Sequence, residues 1–310
     1  MMKFGAQVSC YLTTWDEIRA VVETMEAGRW YSVYHADHFV PPNRPGAGEF
    51  ETAYEGYSTI AAIASITERL RLGHLVLGNT YRNPGLVAKM AGTIDHISHG
   101  RFTLGIGAGW FKREHEAYGW DFPSMKERSD RLEEACSLIR ALFNSESPVD
   151  YEGRYYRLDN ASLSPGSAQK PHIPILVGGT GEKRTLRTLA KYGDVFNLDG
   201  FAARNYGGMS LELYKHKVDV LHRHCEKVGR DPGEIRHTVL VPTKLSNDKA
   251  EINEFIEAIG PGTIAGTAEY IIDRVGELVD AGVDEIMFGR IPNDPQEFQR
   301  IEKEIIAAFD

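Results

Sequence analysis

One short segment, residues 35–38, concentrates side chains suited to acid–base or metal chemistry. It reads His35, Ala36, Asp37 and His38, and it ends a β-rich stretch. A histidine exchanges a proton near neutral pH, so His38, which enters the following loop, is predicted to be catalytic. The alternative is a metal-dependent hydrolase that uses His35, Asp37 and His38. No second cluster of histidines and acids completes such a site at an obvious spacing, so we predict no metal.

A second chemically suggestive segment is a glycine-rich loop after an apolar run. It consists of Gly178, Gly179, Thr180 and Gly181. Small residues in front of a helix let backbone N–H groups and the helix dipole approach a phosphate. Lys183, Arg184 and Arg187 follow and can pair with further negative charge. A tight turn with a solvated helix face explains the same residues, so both interpretations remain open.

Four further residues at predicted strand ends are expected to line a substrate pocket: Cys10, Asn79, Trp110 and His115. A nucleophilic cysteine needs a histidine partner, which the sequence does not identify for Cys10. A small buried hydrophobe is therefore the favoured interpretation of Cys10. The glycines of residues 105–109 allow either close approach of a ligand or a bulge. Trp110, which follows them, can wall an apolar pocket or cover its mouth.

The elements that position these residues alternate regularly between strand and helix. Apolar runs predict eight strands at residues 4–8, 31–36, 72–77, 102–106, 173–177, 195–198, 238–243 and 285–288. Capping boxes at Thr14 and Ser124 and the Asn83-Pro84 pair mark helix starts. Helices are expected at 15–28, 54–70, 84–98, 125–143, 182–192, 210–229, 248–258, 267–281 and 295–309.

Eight such βα units favour one α/β domain over residues 1–310, a (β/α)8 TIM barrel. An open doubly wound sheet is the rival. Residues 149–158 look like a small hairpin inserted before strand five, and the loop PPNRPGAGE lies at residues 41–49. In such barrels chemistry gathers where strands exit, which places the groups above on one rim and His35 inside the barrel.

Composition limits the partners and the compartment. The 310 residues carry a net charge of −9 without a basic stretch, which argues against nucleic acid and anionic membranes as partners. Three widely spaced cysteines form no CxxC pair and fit a reducing compartment. No apolar run reaches the length of a signal segment or a membrane span. We therefore expect a cytoplasmic enzyme acting on a small molecule.

These features together resemble the luciferase-like monooxygenase superfamily, in particular its branch that uses the deazaflavin coenzyme F420. The resemblance covers nearly the whole chain. Its strongest stretches are ADHF (36–39), LVLGNTYRNPGLVAKMAGTIDHISHGR (75–101), LGIGAGWFKREHEAYG (104–119), ERSDRLEEA (127–135), YEGRYYRL (151–158), PILVGGTGEKRTLRTLAKYGDVFN (174–197) and GTAEYIIDRVGELVDAGVDEIMFG (266–289).

The resemblance implies roles for individual positions. The family's acid and histidine after strand two match Asp37 and His38, with the histidine beside the reactive ring. A non-proline cis peptide against that ring is common in the stretch that matches His74, Leu75 and Val76. The glycine loop, residues 178–181, would hold the cofactor phosphate. Together these positions predict a cofactor site that His38 shares.

One departure from the family concerns the substrate. Sugar-phosphate dehydrogenases of the deazaflavin branch carry an acid where this sequence has Trp110, and Glu114 is nearby without aligning cleanly. A flatter or more apolar substrate is expected instead.

The resemblance favours an F420-dependent oxidoreductase that transfers a hydride between deazaflavin and a small organic substrate. An FMN-dependent monooxygenase on the same fold is the first alternative, and a non-catalytic cofactor-binding protein is another. Relatives often dimerise through helices flanking strands two and three. We therefore expect a homodimer that uses residues 55–68 and 84–98.

Overall fold

Parallel strands that alternate with helices form a closed ring in the computed structural model, which describes residues 2–42 and 52–309. The strands are β1 (Lys3–Gln7), β2 (Ser32–His35), β3 (Arg71–His74), β4 (Leu77–Gly78), β5 (Phe102–Gly107), β6 (Val149–Glu152), β7 (Arg157–Ala161), β8 (Ile175–Gly178), β9 (Val195–Asp199), β10 (Arg236–Leu245), β11 (Ile264–Gly266) and β12 (Glu285–Gly289). Eight of them, β1, β2, β3, β5, β8, β9, β10 and β12, make the barrel, because β12 pairs with β1 and β10 pairs with both β9 and β12. This closure confirms the (β/α)8 prediction and excludes the open sheet.

The helices that surround the barrel are α1 (Trp15–Ala27), α2 (Gly56–Ile66), α3 (Pro84–Ile97), α4 (Lys112–Tyr118), α5 (Met125–Asn144), α6 (Thr185–Tyr192), α7 (Gly200–Ala203), α8 (Leu211–Val228), α9 (Lys249–Ile259), α10 (Ala268–Asp280) and α11 (Pro295–Glu304). Several begin at the predicted caps. Thr14 and Glu17 form a complete capping box, and Asn83 caps α3 with Pro84 behind it. None of the helices in the described residues is long and apolar enough to cross a membrane.

The third barrel strand is interrupted where one continuous strand was predicted over 72–77. The peptide between Leu75 and Val76 is cis, and the chain bulges inward there between β3 and β4. The glycines opposite make room for this bulge. A Cβ on Gly105 would overlap the His74 carbonyl, and one on Gly178 would lie 2.6 Å from Val76 Cγ2. The glycines of β5 and β8 therefore accommodate a bulge in the neighbouring strand rather than one of their own.

Several smaller elements lie outside the eight-stranded barrel. The antiparallel pair of β6 and β7 precedes β8, and Glu134 of α5 accepts hydrogen bonds from the turn amides of Tyr155 and Tyr156. The predicted helix over 54–70 is shorter, because Glu55 caps it and Thr67 ends it. α4, α7 and β11 were not predicted. Most of the predicted loop at 41–49 lies outside the described residues.

Candidate active site

His38 sits at the carboxyl end of β2 in a pocket of aromatic rings. Its ring lies 5.6 Å from Trp110, 5.9 Å from Phe111 and 6.3 Å from Tyr11. The Nδ1 atom lies 2.9 Å from Glu114 Oε2. The His38 side chain is 13% exposed whereas that of Glu114 is fully buried. The histidine therefore keeps access to the barrel mouth while a hidden acid holds its other nitrogen.

Glu114 is the centre of this arrangement. Its carboxylate also accepts hydrogen bonds from the Tyr81 hydroxyl at 2.5 Å and from the backbone amides of Phe39 and Val40. Burial would raise the pKa of Glu114, but the bonds from His38, Tyr81 and Phe39 outweigh it and hold that pKa below its usual value. An ionised Glu114 makes His38 carry a proton on Nδ1, which leaves Nε2 to exchange a proton with a substrate.

Asp37, predicted to contact the cofactor, has its carboxylate engaged within the protein. Arg82 donates to both of its oxygens, at 2.7 and 2.9 Å, and the Gly78 amide donates at 3.3 Å. Arg82 also pairs with Glu55, the cap of α2. Asp37 is 1% exposed, so it fixes the loop after β2 against the loop after β4.

His35 and His74 stand side by side on β2 and β3 and are both fully buried. The His74 ring packs 4.5 Å from Tyr57 of α2, so this pair faces the helices. The expectation that His35 packs inside the barrel was therefore wrong, because the alternation of β2 turns Tyr34 inward instead. Burial lowers the pKa of His35 to about 3 and that of His74 to about 4. Both rings are neutral at physiological pH.

The proposed metal cluster of His35, Asp37 and His38 does not assemble. His35 faces α2, Asp37 is bound by Arg82, and His38 is bound by Glu114. No group of three or more histidine, cysteine or acidic side chains in residues 2–42 and 52–309 is arranged to hold a metal ion. The geometry does not favour a metal-dependent hydrolase.

The glycine loop closes the rim between β8 and α6. Gly178 packs against Val76, and Gly179 adopts a φ of +119°, which favours glycine. Arg184 and Arg187 were expected to pair with further negative charge, and acids of this chain supply it. Their guanidinium groups pair with Asp130 and Glu133 of α5. These pairs place the glycine loop beside the start of α5.

The four residues predicted to line one pocket fall into different environments. Cys10 is buried with its Sγ 3.8 Å from the Ala36 carbonyl, and burial raises the pKa of its thiol to about 12, as expected of a buried hydrophobe. His115 is also buried and holds Thr80 at 2.7 Å. Trp110 is 51% exposed at the rim. Asn79, alone among these four, lines a cavity in the described part of the chain.

That cavity, of about 400 Å³, opens beside the loop that follows β4. Asn79, Thr80, Arg82, Trp120, Arg131 and Tyr156 contribute to its wall. Asn79 donates to the Tyr156 hydroxyl at 3.1 Å, while its buried Oδ1 has no hydrogen-bond partner among the described residues. An unsatisfied buried acceptor is costly unless a ligand or water donates to it.

Sequence reasoning missed three polar residues of this rim: Tyr81, Arg82 and Arg128. Tyr81 and Arg82 lie in the stretch NTYRNP, where polar residues after a strand were a usable signal. Arg128 gave no signal, because an arginine in a charged helix reads as a surface residue. It is only 4% exposed, and its Nε and Nη1 atoms have no hydrogen-bond partner among the described residues.

Comparisons with known proteins identify the family of the chain. The family model for luciferase-like monooxygenases matches residues 2–261. An F420-dependent glucose-6-phosphate dehydrogenase of Rhodococcus jostii is 31% identical over 90% of this chain and 79% of that protein. The corresponding enzyme of Amycolatopsis mediterranei is 27% identical, with 90% and 80% covered.

A solved structure shares the whole fold. An F420-dependent secondary alcohol dehydrogenase in complex with an F420–acetone adduct superposes with a TM-score of 0.83, covering 100% of this chain and 99% of that one at 20% identity. At that identity the likeness establishes the fold alone, whereas the family model and the Rhodococcus relative establish descent. The chain therefore belongs to the luciferase-like monooxygenase family, in its branch of F420-dependent oxidoreductases.

Proposed function

We propose that this protein is an F420-dependent oxidoreductase in which His38 exchanges the proton that accompanies hydride transfer. The observation that carries the proposal is the bond between His38 Nδ1 and the ionised Glu114, which leaves Nε2 available on the side of the barrel mouth. Bound F420 would supply or accept the hydride at C5 of its deazaflavin ring.

The residues of this chain fit such a cofactor. The bulge of His74, Leu75 and Val76 offers an apolar backing, since Leu75 and Val76 pack with the inward-facing side chains of the barrel. Gly178, Gly179, Thr180 and Gly181 offer backbone groups for its phosphate. Asp37 acts indirectly, because it holds the loop that carries His38. These assignments are proposals that rest on the family resemblance and on this placement.

In the direction of alcohol oxidation, the substrate hydroxyl would give its proton to His38 Nε2. The carbon that bears this hydroxyl would lose its hydride to bound F420, so that a ketone results. Glu114 stabilises the imidazolium that forms, as an acid does beside a general base. The reverse direction returns the proton from Nε2 to the carbonyl oxygen. The rings of Trp110, Phe111 and Tyr11 lie around His38 and give this exchange an apolar setting.

The aromatic surroundings favour an apolar substrate. Trp110 is half-exposed and stands where the sugar-phosphate dehydrogenases that the sequence resembles carry an acid. We propose a secondary alcohol or the corresponding ketone rather than a sugar phosphate.

Titration with F420 and, separately, with FMN tests the cofactor, with fluorescence reporting binding. We expect F420 to bind in preference to FMN. Tight binding of FMN without binding of F420 would contradict the proposal and favour the monooxygenase alternative. Loss of absorbance at about 420 nm on addition of propan-2-ol, against glucose 6-phosphate as comparator, then tests the substrate class.

His38→Ala tests the catalytic role. Turnover should fall by roughly 10²-fold or more, while the dissociation constant of F420 stays within a few-fold of the wild-type value. Turnover close to wild type would remove His38 from the mechanism.

We further propose a homodimer formed through α2 and α3, in a reducing cytoplasm that matches the three unpaired buried cysteines. Leu86 of α3 is 53% exposed and Ile97 is 40% exposed. Exposed apolar side chains of this kind are expected where a second subunit covers the surface. Light scattering should report a dimer that Leu86→Glu dissociates. A wild-type monomer at micromolar concentration would contradict this.

A further inference from the structure

Arg128 is a buried cation that no acid in the described residues neutralises. It lies near the start of α5 and is 4% exposed. Its Nε and Nη1 atoms have no hydrogen-bond partner in residues 2–42 and 52–309, and Nη2 reaches only the Met125 sulfur at 3.7 Å. A guanidinium cannot shed its proton in a protein, so the charge stays.

The one substantial contact of this charge is with an aromatic face. The guanidinium carbon lies 3.7 Å from the centre of the Phe122 ring, a cation–π geometry. Burial lowers the pKa of Arg128, and no acid contributes to that shift. A buried charge without a partner is costly, and proteins rarely keep one that serves no ligand. The structure thus points to an anion that comes from outside the chain.

The position of Arg128 identifies the side from which that anion arrives. α5 follows β5, so its first turns lie at the carboxyl rim of the barrel. Phe122, on which Arg128 stacks, packs 4.6 Å from His115, which holds Thr80 of the loop after β4. Arg128 lies on the buried face of α5 with Leu132, four residues further on, so its side chain is directed toward the barrel. Asp130, on a different face of α5, pairs with Arg184, which directly precedes α6.

Arg128 therefore lies in the corner where the loop after β5 meets the glycine loop, residues 178–181. The other arginines of this corner are already neutralised. Arg184 pairs with Asp130, and Arg187 pairs with Glu133. Within the described residues, Arg128 is thus the arginine of this corner that is buried and has no acidic partner.

We propose that Arg128 binds the phosphate group of the deazaflavin cofactor, with Nε or Nη1 donating to its oxygens. This inference rests on the proposed F420-dependent function. A hydrogen bond from a guanidinium N–H to a phosphate oxygen is charge-assisted and is among the strongest in proteins. The bound phosphate would supply the counter-charge that the chain itself withholds.

The test compares ligands with and without the phosphate. Wild type, Arg128→Met and Arg128→Lys are titrated with F420 and with the phosphate-free ribityl deazaflavin. Arg128→Met should weaken F420 binding by about 10- to 100-fold, and Arg128→Lys should weaken it less. Binding of the phosphate-free compound should change by less than about twofold, because the lost donors do not touch it.

A control variant and a second probe keep the outcomes separate. Lys126→Met removes a charge from the same turn of α5, but this side chain is 68% exposed and pairs with Asp130, so F420 binding should not change. Inorganic phosphate is the second probe. It should raise the melting temperature of the wild type, and Arg128→Met should abolish that rise.

Each outcome supports or overturns the inference. Equal losses for both deazaflavins, or no loss for either, would overturn the role of Arg128. If the wild type bound neither deazaflavin, the proposed function would fail, and the phosphate arm would still decide the anion site. Equal stabilisation of the wild type and Arg128→Met by inorganic phosphate would then overturn the anion site at Arg128.

Discussion

Arg101 and Arg128 are buried to nearly the same extent at opposite ends of the barrel, with 8% and 4% of their surfaces exposed. Arg101, which precedes β5, donates hydrogen bonds to carbonyl oxygens of Ala64, Thr67, Leu70 and Ser98 and to the Thr67 hydroxyl. Arg128 donates none to an oxygen in the described residues. Arg101 thus stabilises the amino end of the barrel, whereas we propose that Arg128 binds a ligand at the carboxyl end.

The two arginines are compensated differently because their surroundings differ. α2 ends at Ile66, so it presents carbonyl groups that its own helix leaves unpaired, and Arg101 satisfies them. α5 begins beside Arg128, and the start of a helix presents N–H groups, which attract anions rather than cations. An arginine at that position gains from a bound anion.

The largest effect is expected for Arg101→Met. The substitution leaves several buried carbonyls unpaired, so it should lower the free energy of unfolding by about 3–5 kcal/mol. Urea denaturation followed by circular dichroism measures this. Arg101→Lys should lose less, since it keeps the charge. A loss below about 1 kcal/mol would show that these bonds contribute little.

The histidines of β2 and β3 show what a buried cation does when it can lose its proton. Burial lowers the pKa of His35 to about 3 and of His74 to about 4. In the unfolded chain both bind protons near pH 6.5, so the unfolded state binds more protons as pH falls below that value. Stability should therefore be complete above about pH 6.5 and fall below it, by at most about 1.4 kcal/mol per pH unit for each histidine.

Urea denaturation at pH 7, 6 and 5 measures this slope. His74→Gln should flatten it, because one of the two titrating groups is gone. An unchanged slope in that variant would contradict the assignment.

Glu114→Gln tests a buried charge that hydrogen-bond donors of the rim compensate. The substitution keeps the shape but removes the negative charge facing His38, so turnover of the proposed secondary alcohol substrate should fall about 10-fold or more. The dissociation constant of F420 should stay close to the wild-type value. Tyr81→Phe removes a different donor from Glu114 and leaves the His38 bond intact, so its effect should be smaller. Equal effects of both variants would point to a merely structural Glu114.

The smallest effect is expected for Arg128→Met without ligand, and its sign is opposite to that of Arg101→Met. Replacing an uncompensated buried charge by an apolar side chain should raise the free energy of unfolding by about 1 kcal/mol. Denaturation in phosphate-free buffer measures it. A clear destabilisation would mean that Arg128 has a partner within the chain, as Arg101 does.

The barrel could be predicted from the sequence because each strand and helix carries its own local pattern. Asn83-Pro84 and the box of Thr14 and Glu17 mark helix starts without reference to the rest of the chain. The bulge at Leu75 could not be located in this way, since it depends on glycines in β5 and β8.

The candidate site was predicted only where a single segment carried the signal. His38 stood out because its neighbours are also polar, but its partner Glu114 lies 76 residues away on α4, which was itself not predicted. Arg184 and Arg187 looked available because their partners lie on another helix, α5. Arg128 gave no signal, because its burial depends on packing that a charged helical segment does not reveal. Whether a charge is paired is decided by tertiary packing.

A crystal structure of the complex with F420 tests the account most directly. We expect the deazaflavin ring beside His38 and the bulge at Leu75 and Val76, with a phosphate oxygen within hydrogen-bonding distance of Arg128 Nε or Nη1. A deazaflavin bound elsewhere, or a phosphate held by other residues with Arg128 still unpaired, would contradict it.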